Sequence, residues 1–157
     1  MSSPVERVRH ALAAHGLQVE ITEFDQSTAT SQQAADALGV PVATIVKSLV
    51  FLVDDRIVLV LASGANRVDP AKLGRAAGGR VRKADADRVK AETGFVIGGV
   101  PPVGHSRPLE TYIDRDLLQH EQLWAAAGSP CAVFPVTPAD LVRVTGGKVV
   151  DLAQEMG

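Results

Sequence analysis

The sequence predicts an α/β protein built on a mixed, largely antiparallel sheet, or a partly closed barrel, with surrounding helices. Two neighbouring runs of β-branched and apolar residues, IVKSLVFLV at 45–53 and RIVLVLAS at 56–63, flank Asp54-Asp55 and predict a hairpin. Other short apolar runs alternate with segments that carry helix signals. The 157 residues, 46% of them hydrophobic, suffice for one core, so we expect a single domain over 1–157.

Five segments carry the signals that begin and end a helix. Four of them start with a Ser, Thr or Asp that can cap the N-terminus, and a proline follows in three cases. A glycine lies close behind each segment and can end the helix. In chain order, helices are expected at 4–15, 31–38, 70–77, 84–93 and 138–144.

The strands are expected to be short and unevenly spaced. Both strands of the hairpin are apolar on both faces, which is typical of strands that are covered on both sides. Alternation predicts a strand over 18–24, where Val19 and Ile21 share one side. In chain order, strands are expected at 18–24, 45–53, 56–63, near 81, at 95–97, 111–113, 123–126, 132–134 and 149–152.

Charge is distributed unevenly along the chain. The formal net charge is −2, so bulk charge does not recruit nucleic acid. Residues 72–90, however, carry 7 basic and 2 acidic side chains, whereas 1–71 carry 5 and 8 and 91–157 carry 4 and 8. The basic segment is either a solvated helix face or a patch that contacts RNA.

Several function classes lack their sequence signature. Cys131 is the only cysteine, which excludes an intramolecular disulfide and a multi-cysteine zinc cluster. The four histidines show no HxxxH or HExxH spacing, and phosphate-loop, dinucleotide and GxSxG motifs are absent. We therefore expect neither metal nor cofactor. Because no signal peptide or long apolar run is visible, we expect a cytoplasmic location and no membrane partner.

Lys47 is the most unusual residue of the first hairpin strand. Both faces of that strand are apolar, and burying an unpaired ammonium group is costly or forces it to lose its proton. Lys47 is therefore either an edge lysine whose amine reaches solvent, or the floor of a cleft that meets an anion. Ser48 is expected to face the opposite way.

The segment from Gly98 to His105 is the most unusual loop. It holds three glycines and two prolines in eight residues, so its backbone is stiff yet open to close approach. Rigid backbone N–H groups can bind an oxyanion or a carbonyl oxygen. The alternative is an ordinary tight connection between strands, which is also rich in glycine and proline. His105 can reach a ligand or stabilise the loop by a hydrogen bond.

These two features together resemble a known family. IVKSLVF with Lys47, followed about fifty residues later by TGFVIGGVPPVGH, resembles the YbaK/ProX aminoacyl-tRNA deacylases, whose fold also occurs as the editing domain inserted in bacterial prolyl-tRNA synthetases. The resemblance covers nearly the whole chain, including AADALGV at 34–40 and the PxDL and GG motifs within 138–147.

The resemblance implies a mixed α/β, barrel-like fold and hydrolysis, in trans, of the ester that joins a wrong amino acid to the 3′-terminal adenosine of tRNA. It places Lys47 near that adenosine and its phosphate, and it places the loop residues Gly98, Gly99 and Pro102 against the aminoacyl group. The nucleophile is then water helped by the adenosine hydroxyl, or the thiol of a cysteinyl substrate, and no protein base is needed.

The remaining predicted site residues come from the resemblance (Phe24, Ser48 and Ser129), from the loop (His105) and from the basic segment (Arg80, Arg82 and Lys83). The predicted substrate-binding residues are Phe24, Thr30, Ser48, Val50, His105 and Ser129, and the predicted tRNA-binding residues are Arg80, Arg82 and Lys83. The expected substrate is cysteinyl- or alanyl-tRNA(Pro), with cysteine favoured because Ser48 resembles the hydroxyl-bearing version of its position. Prolyl-tRNA synthetase is a candidate partner. The alternative is a non-catalytic module that binds tRNA or a synthetase.

Overall fold

The computed structural model describes residues 3–155, in which eight strands form one sheet accompanied by five α-helices. The helices are α1 (Pro4–Ala14), α2 (Ser31–Leu38), α3 (Pro70–Ala77), α4 (Ala86–Thr93) and α5 (Pro138–Thr145). The strands are β1 (Thr22–Glu23), β2 (Ile45–Val53), β3 (Arg56–Ser63), β4 (Val81–Lys83), β5 (Glu110–Asp114), β6 (Leu123–Ala126), β7 (Ala132–Val136) and β8 (Lys148–Val150). Two 3₁₀ turns, Val42–Thr44 and Arg115–Gln119, complete the regular structure of these residues. None of the helices within 3–155 is long and apolar enough to cross a bilayer.

The sheet is mixed and mostly antiparallel, as the sequence predicts. Its strand order is β1-β7-β6-β2-β3-β5-β8, and β4 also pairs with β2. Four pairings are antiparallel (β1/β7, β6/β7, β2/β3 and β2/β4), and three are parallel (β2/β6, β3/β5 and β5/β8). The path runs from β1 at one end to β8 at the other, so the open-sheet form of the prediction is confirmed.

Strand β2 has a gap along one edge, and this gap positions the site. One edge of β2 pairs with β3 from Val46 to Val53. The other edge pairs with β6 only at Ile45 and Val46, and with β4 only from Phe51 to Val53. Residues 47–50 therefore lie between two short strands that leave the middle of β2 open.

The register of β2 decides which backbone groups face the gap. The carbonyl of Ile45 accepts from Gly64 on the β3 side, and the carbonyl of Val50 accepts from Ala84 on the opposite side at 3.3 Å. Backbone groups alternate between the two edges of a strand. The main-chain N–H and C=O of Ser48 therefore point into the gap.

The core occupies both faces of the hairpin, which confirms the interpretation of its two-sided apolar pattern. On one face, Leu59 and Leu61 pack with Phe95 and Phe134 in the larger cluster. On the other face, Val58 and Val60 pack with Leu73 of α3 and Leu152. Lys47 shares the face of the second cluster and Ser48 that of the first.

Two predicted strands are wrong in extent or in kind. The strand expected over 18–24 is reduced to β1, because only Thr22 and Glu23 find partners on β7. The strand expected at 95–97 is a turn. There Phe95 is buried, but Val96 and Ile97 are 44% and 58% exposed, and residues 95–97 pair with no strand of the described chain.

The predicted helices form with small changes at their ends. Helix α4 begins at Ala86 rather than at residue 84, because the side chain of Asp85 accepts from the N–H of Arg88 and caps the helix there. Gly39, Gly78, Gly94 and Gly146 each follow a helix in the left-handed conformation, as their positions in the sequence indicate.

Candidate functional site

Two cavities meet at the gap of β2. The larger cavity, of about 500 Å³, extends towards β4 and α3, and the smaller one, of about 340 Å³, extends towards β6 and α2. Five residues line both cavities, namely Lys47, Ser48, Leu49, Ile97 and Val100. The open middle of β2 and the loop after α4 thus form one continuous cleft.

Lys47 lies in this cleft half-buried rather than in open solvent. Its Nζ donates a hydrogen bond to the main-chain carbonyl of Asn66. Burial lowers the pKa of Lys47, the positive charge of Arg67 lowers it further, and the carboxylate of Asp114 raises it. The ammonium group therefore has a neutral hydrogen-bond acceptor and remains available to an anion in the cleft.

Asp114 fixes the turn that holds Lys47. This carboxylate is 1% exposed at the end of β5. One of its oxygens accepts from the side-chain amide of Asn66 at 2.8 Å and from the N–H of Ser63 at 3.3 Å, and the other accepts from the N–H of Asp116 at 3.0 Å. The Asn66 amide also donates to the Asp116 carboxylate at 2.8 Å. These bonds order the 63–67 turn, whose carbonyl binds the lysine.

Ser48 offers polar groups that the described protein leaves unused. Its Oγ is buried and has no hydrogen-bond partner among residues 3–155. Its side chain faces away from that of Lys47, as predicted, yet it lines both cavities because the strand edge is open. Buried hydroxyls in proteins nearly always have partners, so this one is ready for a ligand.

The glycines of the loop permit close packing of three chain segments. Gly98 has a φ of +88°, and a Cβ there would lie 2.8 Å from Cβ of Ala29. A Cβ on Gly99 would lie 2.8 to 3.0 Å from three backbone atoms of Ser129. The loop is therefore held against the wall of the smaller cavity, and its next residue, Val100, lines both cavities.

The structure brings about half of the predicted site residues into the cleft. Residues in the lining of at least one cavity are Thr30, Lys47, Ser48, Val50, Lys83 and Gly98. Residues outside both linings are Phe24, Arg80, Arg82, Gly99, Pro102, His105 and Ser129. Among the predicted residues, the lining of the cleft therefore comes mainly from β2 and from the start of the loop, and Pro102 and His105 of the same loop lie outside it.

Three of the outlying residues have local structural contacts. His105 Nε2 lies 2.7 Å from the carbonyl oxygen of Pro101, and burial lowers the pKa of this histidine. The hydroxyl of Ser129 accepts from the N–H of Cys131 at 3.1 Å. The N–H of Phe24 donates to the Cys131 carbonyl at 2.8 Å. These contacts support the loop and the 128–131 turn around the smaller cavity.

The basic segment is divided between paired and unpaired side chains. Lys72 pairs with Asp151 at 3.0 Å, Arg82 with Asp55 at 3.6 Å, and Arg88 with Glu92 at 3.2 Å. Arg80 and Lys83 are exposed and have no ion pair within residues 3–155. Lys83 also lines the larger cavity, so the basic segment reaches the cleft through this residue.

The sequence interpretation missed Arg67 and Trp124. Arg67 lies in the lining of the larger cavity, in the turn that follows β3. Trp124, the only tryptophan, lies in the lining of the smaller cavity on β6. The sequence does contain a signal for Arg67. Arg67 directly follows the turn SGAN at the end of β3, and β3 is the strand that pairs with β2, which carries Lys47.

The cleft contains few groups that could transfer a proton. Among the described residues, neither lining includes a His, Cys, Asp or Glu. Residues 3–155 also contain no cluster of three or more such side chains that is arranged to hold a metal ion. The cleft instead offers cations, backbone groups and, in Ser48, a buried hydroxyl without a hydrogen-bond partner among residues 3–155.

The chain is similar in sequence to a known family and to individual bacterial proteins. Residues 25–144 match the family described as "Aminoacyl-tRNA editing domain". The uncharacterized protein YwhH of Bacillus subtilis is 33% identical over 138 residues, which are 87% of this chain and 88% of YwhH. EbsC of Enterococcus faecalis, named as a candidate Cys-tRNA(Pro)/Cys-tRNA(Cys) deacylase, is 24% identical over 125 residues, covering 78% and 76% of the two chains.

Two further similarities concern prolyl-tRNA synthetases. The proline–tRNA ligase of Lactobacillus gasseri is 41% identical over 76 residues, which are 48% of this chain and 14% of the ligase. The crystal structure of a candidate trans-editing enzyme for prolyl tRNA synthetase superposes with a TM-score of 0.93 and 45% identity, covering 99% of each chain.

Proposed function

Because the chain belongs to the aminoacyl-tRNA editing domain family and is an aminoacyl-tRNA hydrolase, we propose that it acts in trans on tRNA(Pro) mischarged with cysteine or alanine. The observation that carries this proposal is the position of Lys47 between two cavities, opposite the Gly98–Val100 segment. An acylated nucleotide needs two neighbouring pockets, one for the amino acid and one for the nucleoside.

The smaller cavity is suited to the amino acid. Its lining is mostly apolar and includes Val46, Ala125 and Val133. Its limited volume of about 340 Å³ fits a short side chain together with its ester. The Ser48 hydroxyl, which has no partner in the described part of the chain, can bind a hetero-atom there, and this supports cysteine as a substrate alongside alanine.

The larger cavity is suited to the terminal nucleoside. It combines apolar residues such as Val68 and Pro70 with the cations Lys47, Arg67 and Lys83. Its volume of about 500 Å³ lies within the usual range of about 300–1,000 Å³ for ligand sites. In this arrangement the ester bond lies at the gap, between the two cavities, and Lys47 contacts the nucleotide from the larger cavity.

The chemistry we propose relies on positioning and electrostatics. Water attacks the ester carbonyl carbon, the bond from that carbon to the ribose oxygen breaks, and the ribose oxygen takes up a proton. Main-chain N–H groups facing the gap, among them that of Ser48, can stabilise the negative charge that develops on the carbonyl oxygen. The adenosine hydroxyl orients the water, or the thiol of a cysteinyl substrate replaces it, since no His, Asp or Glu of the described residues lines the cleft.

The test is a panel of charged tRNAs. Purified protein is incubated with tRNA(Pro) carrying Cys, Ala, Ser or Pro, and the loss of each ester is followed over time. We expect rapid loss of the cysteinyl or alanyl ester and slow loss of the prolyl ester. If folded protein hydrolyses none of them, the substrate proposal is wrong, and binding without turnover would favour the binding-module alternative.

The basic patch Arg80, Arg82 and Lys83 is proposed to contact tRNA outside the cleft. All three side chains are exposed. Replacing them together with glutamate should weaken tRNA binding and flatten its dependence on salt, because each lost phosphate contact reduces the number of released counterions. Unchanged affinity after this triple replacement would refute the patch as the RNA contact.

Prolyl-tRNA synthetase is proposed as a partner that supplies the mischarged product. A cytoplasmic location, where aminoacyl-tRNA is used, is part of the same proposal. Pull-down of the synthetase by the full chain, with and without tRNA(Pro), tests this partnership. Failure to capture the synthetase in either condition would remove the partner and leave the hydrolase proposal intact.

A further inference from the structure

Arg67 is a second cation in the larger cavity, and the proposed function leaves its role open. Its side chain is exposed in the wall that also contains Lys47 and Lys83. No carboxylate of residues 3–155 forms an ion pair with it, whereas Lys72, Arg88 and Arg107, among others, have acidic partners. Within residues 3–155, Arg67 is thus a cation that lines the cavity without an ion-pair partner.

Arg67 and Lys47 are close enough to influence each other. The charge of Arg67 disfavours the protonated form of Lys47 and lowers its pKa. The lysine donates to a neutral carbonyl, and the nearby Asp114 already accepts hydrogen bonds from Asn66 and Ser63. Two like charges on one cavity wall repel each other, and an anion bound between them removes that repulsion.

The turn that carries Arg67 is fixed in advance. The main-chain carbonyl of Arg67 accepts from the N–H of Gln154 at 2.8 Å, and the N–H of Asn66 donates to the carbonyl of Ser63 at 2.9 Å. Carboxylates at 114 and 116 hold the side chain of Asn66. The guanidinium group is therefore presented from an ordered turn, which reduces the entropy lost on binding.

The surroundings identify the anion. Apolar residues Val68, Pro70 and Ile97 line the same cavity and can contact a base or a ribose. A planar guanidinium group binds phosphate through two parallel N–H donors, a geometry that an ammonium group cannot provide. A nucleotide phosphate satisfies both the cations and the apolar wall, whereas an isolated carboxylate satisfies only the cations.

We propose that Arg67 binds the phosphodiester on the 5′ side of the terminal adenosine, with Lys47 on the other side of the same phosphate. The inference rests on the proposed function, because it assumes that the nucleoside of an aminoacyl ester occupies the larger cavity. It assigns Arg67 to substrate binding and leaves the attack on the ester to the groups at the gap.

The test compares two substrates with two arginine variants. One substrate is the aminoacyl ester of adenosine, which has no phosphate, and the other is the same ester on the dinucleotide CpA, which has the single phosphodiester in question. Arg67→Gln should lower kcat/KM on the CpA ester by about 10- to 100-fold, the range expected for one charge-assisted contact. It should leave kcat/KM on the adenosine ester at the wild-type value.

Controls separate charge, geometry and folding. Arg9→Gln removes an exposed arginine that lines neither the larger nor the smaller cavity, and it should leave both substrates unaffected. Arg67→Lys should recover part of the loss, because it keeps the charge and loses the paired donors. On full mischarged tRNA, Arg67→Gln should reduce the slope of log(kcat/KM) against log salt by about 0.7, as for one phosphate of a single strand.

The possible outcomes distinguish the two proposals. If the wild type hydrolyses no ester in the series, the proposed function fails. If the wild type hydrolyses both esters and Arg67→Gln lowers both equally or neither, the phosphate assignment is overturned while the hydrolase proposal survives. A loss confined to the CpA ester, together with the smaller salt slope, supports Arg67 as the phosphate ligand.

Discussion

A single methyl group on the loop glycines should damage both stability and activity, because the loop is packed against backbone. A Cβ on Gly99 would lie 2.8, 2.9 and 3.0 Å from the C, Cα and N atoms of Ser129. Normal carbon contacts lie at about 3.5–4.0 Å, so the two segments must separate by roughly 0.5–1 Å. The turn at Ser129 cannot move freely, because the Ser129 hydroxyl accepts a hydrogen bond from the N–H of Cys131 and the Ser129 carbonyl accepts one from the N–H of Ala132.

The expected magnitudes differ between the two glycines. Gly99→Ala adds overpacking alone, which typically costs about 1–3 kcal/mol. Gly98→Ala adds a clash at 2.8 Å with Cβ of Ala29, and its φ of +88° carries a further penalty of about 1–2 kcal/mol for an L-residue. Gly146→Ala is the matched control, because its φ is +63° and its Cβ would meet nothing within 4 Å. The control should therefore cost only the backbone penalty of about 1–2 kcal/mol.

Urea unfolding and deacylation kinetics measure the two effects separately. Gly98→Ala should lower the free energy of unfolding more than Gly146→Ala does. Gly99→Ala should reduce kcat/KM by up to about 100-fold, since a misplacement of about 1 Å can cost that much, whereas Gly146→Ala should leave kcat/KM unchanged. The reasoning is refuted if Gly99→Ala unfolds at the wild-type urea midpoint and keeps full activity.

Three further substitutions test the strand and its supporting network. Lys47→Met should abolish deacylation without lowering Tm, because burial lowers the pKa of Lys47 in the folded state. The pKa of Lys47 in the folded protein lies below its unfolded value of 10.5, so between these two values the unfolded state binds more protons than the folded state. Wild-type stability should therefore rise as the pH rises from the folded pKa to 10.5, and melting curves of Lys47→Met should lack this rise. Ser48→Ala should leave Tm unchanged or raise it, because it removes a buried hydroxyl that has no hydrogen-bond partner among residues 3–155. An unchanged ratio of cysteinyl to alanyl rates would contradict the role of Ser48 in selectivity. Asp114→Ala should destabilise the fold by about 2–4 kcal/mol in urea unfolding, because it leaves the buried Ser63 N–H and the part-buried donors of Asn66 and Asp116 unsatisfied. An unfolding midpoint equal to that of the wild type would contradict the network.

The elements that the sequence predicted correctly are those specified by local chemistry. The hairpin strands 45–53 and 56–63 match β2 and β3 because β-branched residues and a two-residue turn define them without reference to the rest of the chain. The helices end where glycine can adopt a positive φ, as Gly39 and Gly78 do. These signals lie within a few residues of the structure that they determine.

The incorrect predictions required knowledge of partners. Residues 95–97 have the composition of a strand, yet they pair with no strand within residues 3–155, and only Phe95 enters the core. Residues 18–21 alternate as a strand should, but β7 pairs only with Thr22 and Glu23. A strand is defined by its neighbour, and the neighbour is distant in sequence.

By itself the sequence determined that a lysine lies in an apolar strand and that a glycine- and proline-rich loop follows it, because composition and alternation are local properties. The tertiary structure alone decided that β4 and β6 each cover only one end of β2, which opens the gap between them. It also decided that Arg67, Asn66 and Asp114 gather around the lysine. The physical reason is that charge neutralisation and strand register are set by contacts between residues far apart in the chain, which the local pattern does not encode.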